Sequence, residues 1–146
     1  MTTLAEKQTE EEYIYHTEVV LMKLAVCARD EGLQAEVDQR FGRCPYFVIV
    51  DSESGELIES LPNASVSAAG GAGPQSARQL ADRSVAAVVV GNIGPNAAVA
   101  LEAARIQVYT GIEGTVETTL QKFKEGKLSS VSSATVPSHS GMKGKS

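Results

Sequence analysis

The sequence predicts an α/β protein built on a five-stranded mixed sheet with helices packed on its faces. Apolar runs and helical patterns alternate in the order β-β-β-α-β-α-β-α. The uninterrupted apolar run at 85–90 is typical of a strand buried on both faces. Trp is absent and aromatic residues make up 5% of the chain, so the core must consist of small aliphatic side chains. Such a core favours layers of sheet and helix.

The hydrophobic pattern indicates each element in turn. Strands are expected where β-branched and apolar residues cluster, at 23–27, 46–51, 56–61, 85–90 and 106–109. Helices are expected at 75–83, at 95–104 and from Thr115 to near Lys124, because Pro74 and Pro95 suit first helical turns and Thr115 is a good N-cap. The first three strands should form an antiparallel meander. The later strands should be parallel and joined by right-handed crossovers.

The chain divides into one domain and two polar ends. With 146 residues it has the usual size of a single domain, which we expect at 22–128. Residues 1–21 look like a flexible extension, with an additional strand at 19–21 as the alternative. Residues 129–146 are rich in Ser and carry few apolar side chains, so we expect a flexible tail.

Charge and composition exclude several classes of protein. The net charge is −5, whereas nucleic-acid binders usually present a basic face, so no nucleic-acid partner is expected. No apolar run reaches the length of a membrane span. The weakly apolar segment 13–22 follows acidic residues instead of the basic ones of a signal peptide. We therefore expect a cytoplasmic protein with reduced thiols and no membrane partner.

The predicted topology brings several loops to one edge of the sheet. The first strand ends at Cys27, the second begins just after Cys44, and the third returns to the same edge with the loop at 70–73. The loops at 91–96 and 110–114 should emerge there as well, because their strands run parallel to the first. In open α/β sheets ligands bind at this carboxyl edge. Convergence therefore predicts a single site.

The residue types at this edge suit an anion. Three helix N-termini offer backbone N–H groups, glycines let a ligand approach closely, and arginines add charge-assisted hydrogen bonds. The candidate binding residues are Arg40, Arg43, Gly70, Gly71, Gly73, Asn92, Gly94, Asn96 and Gly114. Cys27 and Cys44 are soft candidate metal ligands, and Cys44, in a loop, is expected to be the more accessible. Taken singly, the glycines could be plain connectors, Cys27 a small core residue, and the arginines solvated charges.

The sequence contains only weak signs of an enzyme active site. Both histidines, His16 and His139, lie in the two predicted ends, so a His-centred catalytic site within the domain is not expected. The glycine-rich loop lacks the Lys and Ser/Thr of a P-loop, and no dinucleotide-binding glycine pattern follows the first strand. We therefore expect a binding protein that is not an enzyme.

Several segments resemble motifs of one known family, in its order. Residues 22–26 and 41–47 (MKLAV and FGRCPYF) resemble its first strand and its F-G-R-x-P-x-F element. The GGAG at 70–73, followed by Gln75, is similar to its H-G-A-G-x-Q loop, and 91–97 (GNIGPNA) to its G-x-x-G-P-N-A element. Residues 109–116 and 123–128 are similar to its closing helix. The family is that of dinitrogenase iron–molybdenum cofactor biosynthesis, with NifX and the C-terminal domain of NifB.

The resemblance implies a ribonuclease H-like three-layer fold. It also implies a non-enzymatic carrier of an anionic metal–sulfur cluster: the iron–molybdenum cofactor, its precursor, or a related molybdenum/iron–sulfur cluster. Cofactor-assembly proteins are the implied partners, and nitrogen fixation the implied context. One departure is Gly70, which stands where the family often has His. Two other functions stay open: an interaction or regulatory module that binds no cluster, and a phosphate or nucleotide binder.

Overall fold

The computed structural model describes residues 22–66 and 71–131, which form a mixed six-stranded sheet with three helices. The strands are β1 (Lys23–Ala28), β2 (Tyr46–Asp51), β3 (Leu57–Pro62), β4 (Val85–Val90), β5 (Gln107–Thr110) and β6 (Ser129–Val131). The helices are α1 (Ala72–Asp82), α2 (Pro95–Ala103) and α3 (Val116–Lys124). The predicted α/β class and element order are confirmed, with one additional strand.

The sheet has the order β3-β2-β1-β4-β5-β6, and its strand directions agree with the predicted meander and crossovers. β1 pairs antiparallel with β2, with Ala25 opposite Ile49, and parallel with β4, with Val26 opposite Val89. β4 and β5 are also parallel. Consequently the C-terminal ends of β1, β4 and β5 share one edge of the sheet, where the loop before β2 also lies.

The core is thickest at the centre of the sheet. Leu24 to Ala28 of β1 are fully buried, so this strand is covered on both faces. The two crossovers step in the same direction across the sheet, and their shared hand puts α1 and α2 on one face. α3 packs against β1 and covers the other face, burying Leu120. None of the three described helices, of 11, 9 and 9 residues, is long enough to cross a membrane.

The prediction of five strands was one short. β6 pairs antiparallel with β5, with Val108 opposite Val131, and occupies the first three residues of the segment expected to be a tail. Its Ser-rich sequence gives little hydrophobic signal because β6 is an outermost strand of the sheet and is held mainly by backbone hydrogen bonds. The rest of that segment, 132–146, and the predicted extension 1–21 lie outside the described residues.

Candidate anion-binding site

A cleft of about 280 Å³ lies at the predicted edge of the sheet. It is enclosed by the loop before β2 and by the first turns of α1 and α2. Six predicted binding residues line it: Arg43, Gly71, Gly73, Asn92, Gly94 and Asn96. Of the other predicted residues, Gly70 falls in the gap at 67–70, and Arg40 and Gly114 lie outside the lining.

Both helices open onto the cleft without a side-chain cap. The N-cap of α1 is Gly71, whose backbone is left-handed with φ 73°. The N-cap of α2 is Gly94, and Pro95 follows in the first turn. Glycine has no side chain that could accept the N–H groups of the first turn. The N-terminal ends of both helices therefore present backbone donors and partial positive charge to whatever occupies the cleft.

The two helix ends approach each other more closely than any side chain would allow. A Cβ added to Gly73 would lie 2.7 Å from the Cβ of Ala97 in α2. A Cβ added to Gly42 would lie 3.1 Å from the backbone nitrogen of Gly73. Glycine at both positions therefore lets the loop and the two helices meet at the cleft.

Arg43 is the ionisable side chain in the described lining of the cleft. Its guanidinium donates a hydrogen bond to the carbonyl oxygen of Val66, at 3.1 Å. This contact ties the side chain to the turn that follows β3. Arg43 thus adds a positive charge to the two helix ends.

Arg40 is engaged elsewhere. It forms a two-pronged pair with Asp38, with Nε 3.0 Å from Oδ1 and Nη2 2.9 Å from Oδ2. Asp38 as a whole residue is 2% exposed, and its hydrogen bond to this guanidinium is the main reason that the pKa of Asp38 is lowered. The backbone of Arg40 bridges to Asn92 beside the cleft. Arg40 therefore shapes the wall while its charge is directed at Asp38.

The N-terminus of α3, which the sequence placed in the same site, is closed by the protein itself. The hydroxyl of Thr115 accepts the N–H of Thr118 at 3.1 Å. The N–H groups of Val116 and Glu117 donate to the backbone carbonyls of Ala35 and Leu33, both at 2.9 Å. Gly114 uses its carbonyl to pair with Val37. This helix end therefore has few backbone donors left for a ligand.

The two cysteines are neighbours, as the strand directions predicted, but both are fully buried. The thiol of Cys44 lies 3.4 Å from the carbonyl oxygen of Phe41, to which it donates. Burial raises the pKa of Cys27 well above its usual value, and the adjacent Cys44 raises it further, so Cys27 is held as the neutral thiol. The expectation that Cys44 is accessible was wrong, because the 41–44 loop folds over its own cysteine.

Other candidate sites are few in the described part of the chain. No group of three or more His, Cys, Asp or Glu side chains in residues 22–66 and 71–131 could hold a metal ion. A second cavity, of about 320 Å³, lies between α2 and β5 and is lined mainly by apolar side chains. None of the predicted binding residues contributes to it.

Sequence reasoning overlooked a buried polar cluster beside the cleft. Asn63, Ser65 and Ser76 are 3%, 0% and 0% exposed and are hydrogen-bonded to one another. The stretch that contains Asn63 and Ser65 looks like an ordinary polar loop. The helical spacing of Ser76 relative to buried Leu80 in α1 was the available signal, since both positions share one face of the helix.

Fold and cleft together define a three-layer α/β protein with a site suited to an anion at the edge of its sheet. Residues 22–126 match the model of the family described as dinitrogenase iron-molybdenum cofactor. The match spans most of the chain, and the protein belongs to that family. It is also 35% identical to the uncharacterized protein MJ0580 of Methanocaldococcus jannaschii over 112 residues, which cover 75% of this chain and 92% of the relative.

Solved structures share the fold. The apo form of the orange protein from Desulfovibrio gigas is 36% identical, with a TM-score of 0.75, and the match covers 80% of this chain and 98% of that one. The solution structure of a Thermotoga protein assigned to the DUF35 family is 33% identical, with a TM-score of 0.69 and the same coverage. The resemblance stated from the sequence motifs is thereby confirmed.

Proposed function

We propose that the cleft captures an anionic metal–sulfur cluster and that the protein carries this cargo without transforming it. The proposed cargo is the iron–molybdenum cofactor, its precursor, or a related molybdenum/iron–sulfur cluster. The observation that carries the proposal is the meeting of two uncapped helix N-termini and the Arg43 side chain in one cleft. Each of these features favours negative charge.

Capture by backbone donors and charge is the first step of this proposal. Cys27 and Cys44 stay in it as a second-step ligand pair, because thiolates are the soft donors such clusters prefer. They lie beneath the 41–44 loop, so ligation requires that loop to open and both thiols to lose their protons. Capture of the cluster by backbone donors and charge should therefore be faster than ligation by the thiolates, and it should be reversible.

Membership of the family supports a role in handling this cofactor, and cofactor-assembly proteins are the proposed partners that load and unload the cleft. We propose the cytoplasm as the compartment, because two neighbouring cysteines without a disulfide are typical of a reducing environment.

The test is anaerobic titration with tetrathiomolybdate, the simplest molybdenum–sulfur anion, followed by visible absorbance. Wild-type protein should bind it, and Arg43→Gln should weaken binding about tenfold, with a larger difference at low ionic strength. Arg78→Gln is the matched control, because it removes an exposed arginine outside the cleft lining without unpairing a buried carboxylate, and it should leave affinity nearly unchanged. Equal affinity of wild type and Arg43→Gln would contradict capture in this cleft.

Ligation by the cysteines is tested separately. The Cys27→Ser/Cys44→Ser double variant should still bind tetrathiomolybdate but should release it faster on dilution. The measurement is molybdenum and sulfide content after anaerobic gel filtration. Equal retention in wild type and double variant would remove the thiols from the proposal and leave electrostatic capture alone.

One observation favours the second candidate, an interaction module that binds no cluster. The described lining of the cleft contains neither thiol nor imidazole, and Gly70 stands where the family often has His. A module of this kind would show no molybdenum or iron after anaerobic purification. It would also fail to bind tetrathiomolybdate in the titration above.

A further inference from the structure

Asn63 follows β3 and lies at the centre of the buried polar cluster beside the cleft. Its side-chain oxygen Oδ1 faces the N–H of Ser65 at 3.0 Å and the hydroxyl of the same residue at 2.7 Å. It also faces the hydroxyl of Ser76 at 3.1 Å and the amide nitrogen of Gln79 at 2.9 Å. The last two belong to α1, so one amide oxygen joins the turn at 63–66 to that helix.

The available protons determine how the amide is oriented. Each serine hydroxyl has one proton. One of the Ser65 and Ser76 hydroxyls donates to the other across 2.6 Å, and the hydroxyl that accepts this bond then donates to Oδ1 of Asn63. Together with the backbone N–H of Ser65 and the side-chain N–H of Gln79, this hydroxyl gives Oδ1 three hydrogen-bond donors. A flipped amide would place Nδ2 against these donors, so Nδ2 must face the opposite side.

On that opposite side Asn63 holds the loop that carries Arg43. Nδ2 donates to the carbonyl oxygen of Cys44 at 2.9 Å and to that of Gly42 at 3.3 Å. The backbone N–H of Asn63 donates to the carbonyl of Pro45 at 2.9 Å. Arg43 lies between these anchored positions, and its guanidinium returns to the same turn through Val66.

We infer that Asn63 is a positioning residue for the cleft, which fixes the guanidinium of Arg43 relative to the N-terminus of α1. Both sides of its buried amide are used: one holds the Arg43 loop and the other holds α1. Because the residue is buried and lies outside the cleft lining, it acts on a ligand through Arg43. This inference rests on the proposed capture of an anion by the cleft.

The test is a double-mutant cycle in the full-length protein, with tetrathiomolybdate as the probe under anaerobic conditions. Asn63→Ala should weaken binding about tenfold when Arg43 is present, and by less than about twofold in the Arg43→Gln background. The affinity of Asn63→Ala for tetrathiomolybdate should also depend on salt concentration only as weakly as that of Arg43→Gln. An equal loss in both backgrounds would show a general structural effect and overturn the inference.

Gln79→Ala keeps the test decisive if Asn63→Ala does not fold. Gln79 is half-buried at the margin of the cluster and supplies one of the three donors to Oδ1. We expect about a threefold loss of affinity with Arg43 present and no further loss with Arg43→Gln. Additive effects would overturn the inference.

The two proposals fail in different ways. If wild type does not bind the probe, or Arg43→Gln does not weaken binding, the proposed function fails and this inference falls with it. If both behave as expected while the Asn63 and Arg43 effects add, only the positioning role is wrong.

Discussion

The N-terminus of α3 and the N-termini of α1 and α2 emerge at the same edge of the sheet but differ in how their backbone donors are used. In α3 the Thr115 hydroxyl and two loop carbonyls accept the first three N–H groups of the helix. In α1 and α2 the N-caps are Gly71 and Gly94, which offer no side-chain acceptor. The difference indicates that a self-capped helix end serves stability, whereas a glycine-capped end remains open to a ligand.

The largest expected effect comes from Gly73→Ala, which places a methyl group between the N-terminal ends of α1 and α2. The new Cβ would lie 2.7 Å from that of Ala97, so the two helices must separate. We expect a loss of about 2 kcal/mol in the free energy of unfolding, measured by chemical denaturation, and loss of tetrathiomolybdate binding.

Gly94→Ala is the matched control for that substitution. A Cβ at Gly94 meets nothing within 4 Å, and its φ of −84° suits any residue. Its unfolding free energy should stay close to that of wild type. A similar loss of stability in both variants would show that contact between the helices is not the cause.

Gly94→Asp should convert the open end of α2 into a capped one like that of α3. The extended backbone at this N-cap suits Asp, whose carboxylate can accept a first-turn N–H. We expect the free protein to gain at most about 1 kcal/mol of stability, because the cap contributes only a few tenths of a kcal/mol relative to Gly and the negative charge at the helix N-terminus adds the rest. The affinity for tetrathiomolybdate should fall at least about tenfold. Denaturation and anaerobic titration measure the two effects, and unchanged affinity would mean that α2 does not contact the ligand.

Thr115→Ala tests the closed helix end. Loss of the hydroxyl cap should lower the unfolding free energy by about 1 kcal/mol. Affinity for tetrathiomolybdate should not change, because this end lies outside the cleft lining. A clear change in affinity would place α3 in the site after all and remove the distinction between the helix ends.

The smallest expected effect concerns the segment that joins the two regions, which bridges to Thr115 at Glu36 and to Asn92 at Arg40. Asp38 in this segment has a pKa lowered mainly by Arg40. Its stabilising contribution is therefore present above the unfolded pKa of about 3.9 and is lost as pH falls through the lowered folded value. Asp38→Asn should give a flatter dependence of unfolding free energy on pH in the acid range, and an unchanged slope would contradict this role.

Much of the fold was predictable because its strands are compact apolar runs. β2 and β4 have the predicted bounds, and the other predicted elements differ by one residue or a few. β6 was missed because an edge strand needs few apolar side chains. The apolar pattern already predicted helices packed on the faces of the sheet, and the family motifs added the expectation of a ribonuclease H-like fold.

The site was predictable in position and less so in detail. Strand directions brought Arg43 together with described residues of the loops predicted at 70–73 and 91–96, whereas Gly114 of the third predicted loop lies outside the cleft lining. The burial of Cys44 was not predictable, because it depends on how the 41–44 loop folds back and on the hydrogen bond from the Asn63 side chain that holds it. Likewise the sequence predicts Thr115 as an N-cap, but a capped helix end has few N–H groups left for a ligand, which separates α3 from the predicted site.

Four of the described residues that line the cleft are glycines, which contribute main-chain atoms alone, and under the proposed function this has a consequence for how anion binding is inherited. Backbone amides persist through side-chain substitution as long as the glycines allow the two helices to meet. A descendant can therefore exchange the exposed amides of Asn92 and Asn96 at the rim while it keeps the donors behind them. Selectivity among anions would then diverge at the rim, and the capacity to hold an anion would pass on with the fold.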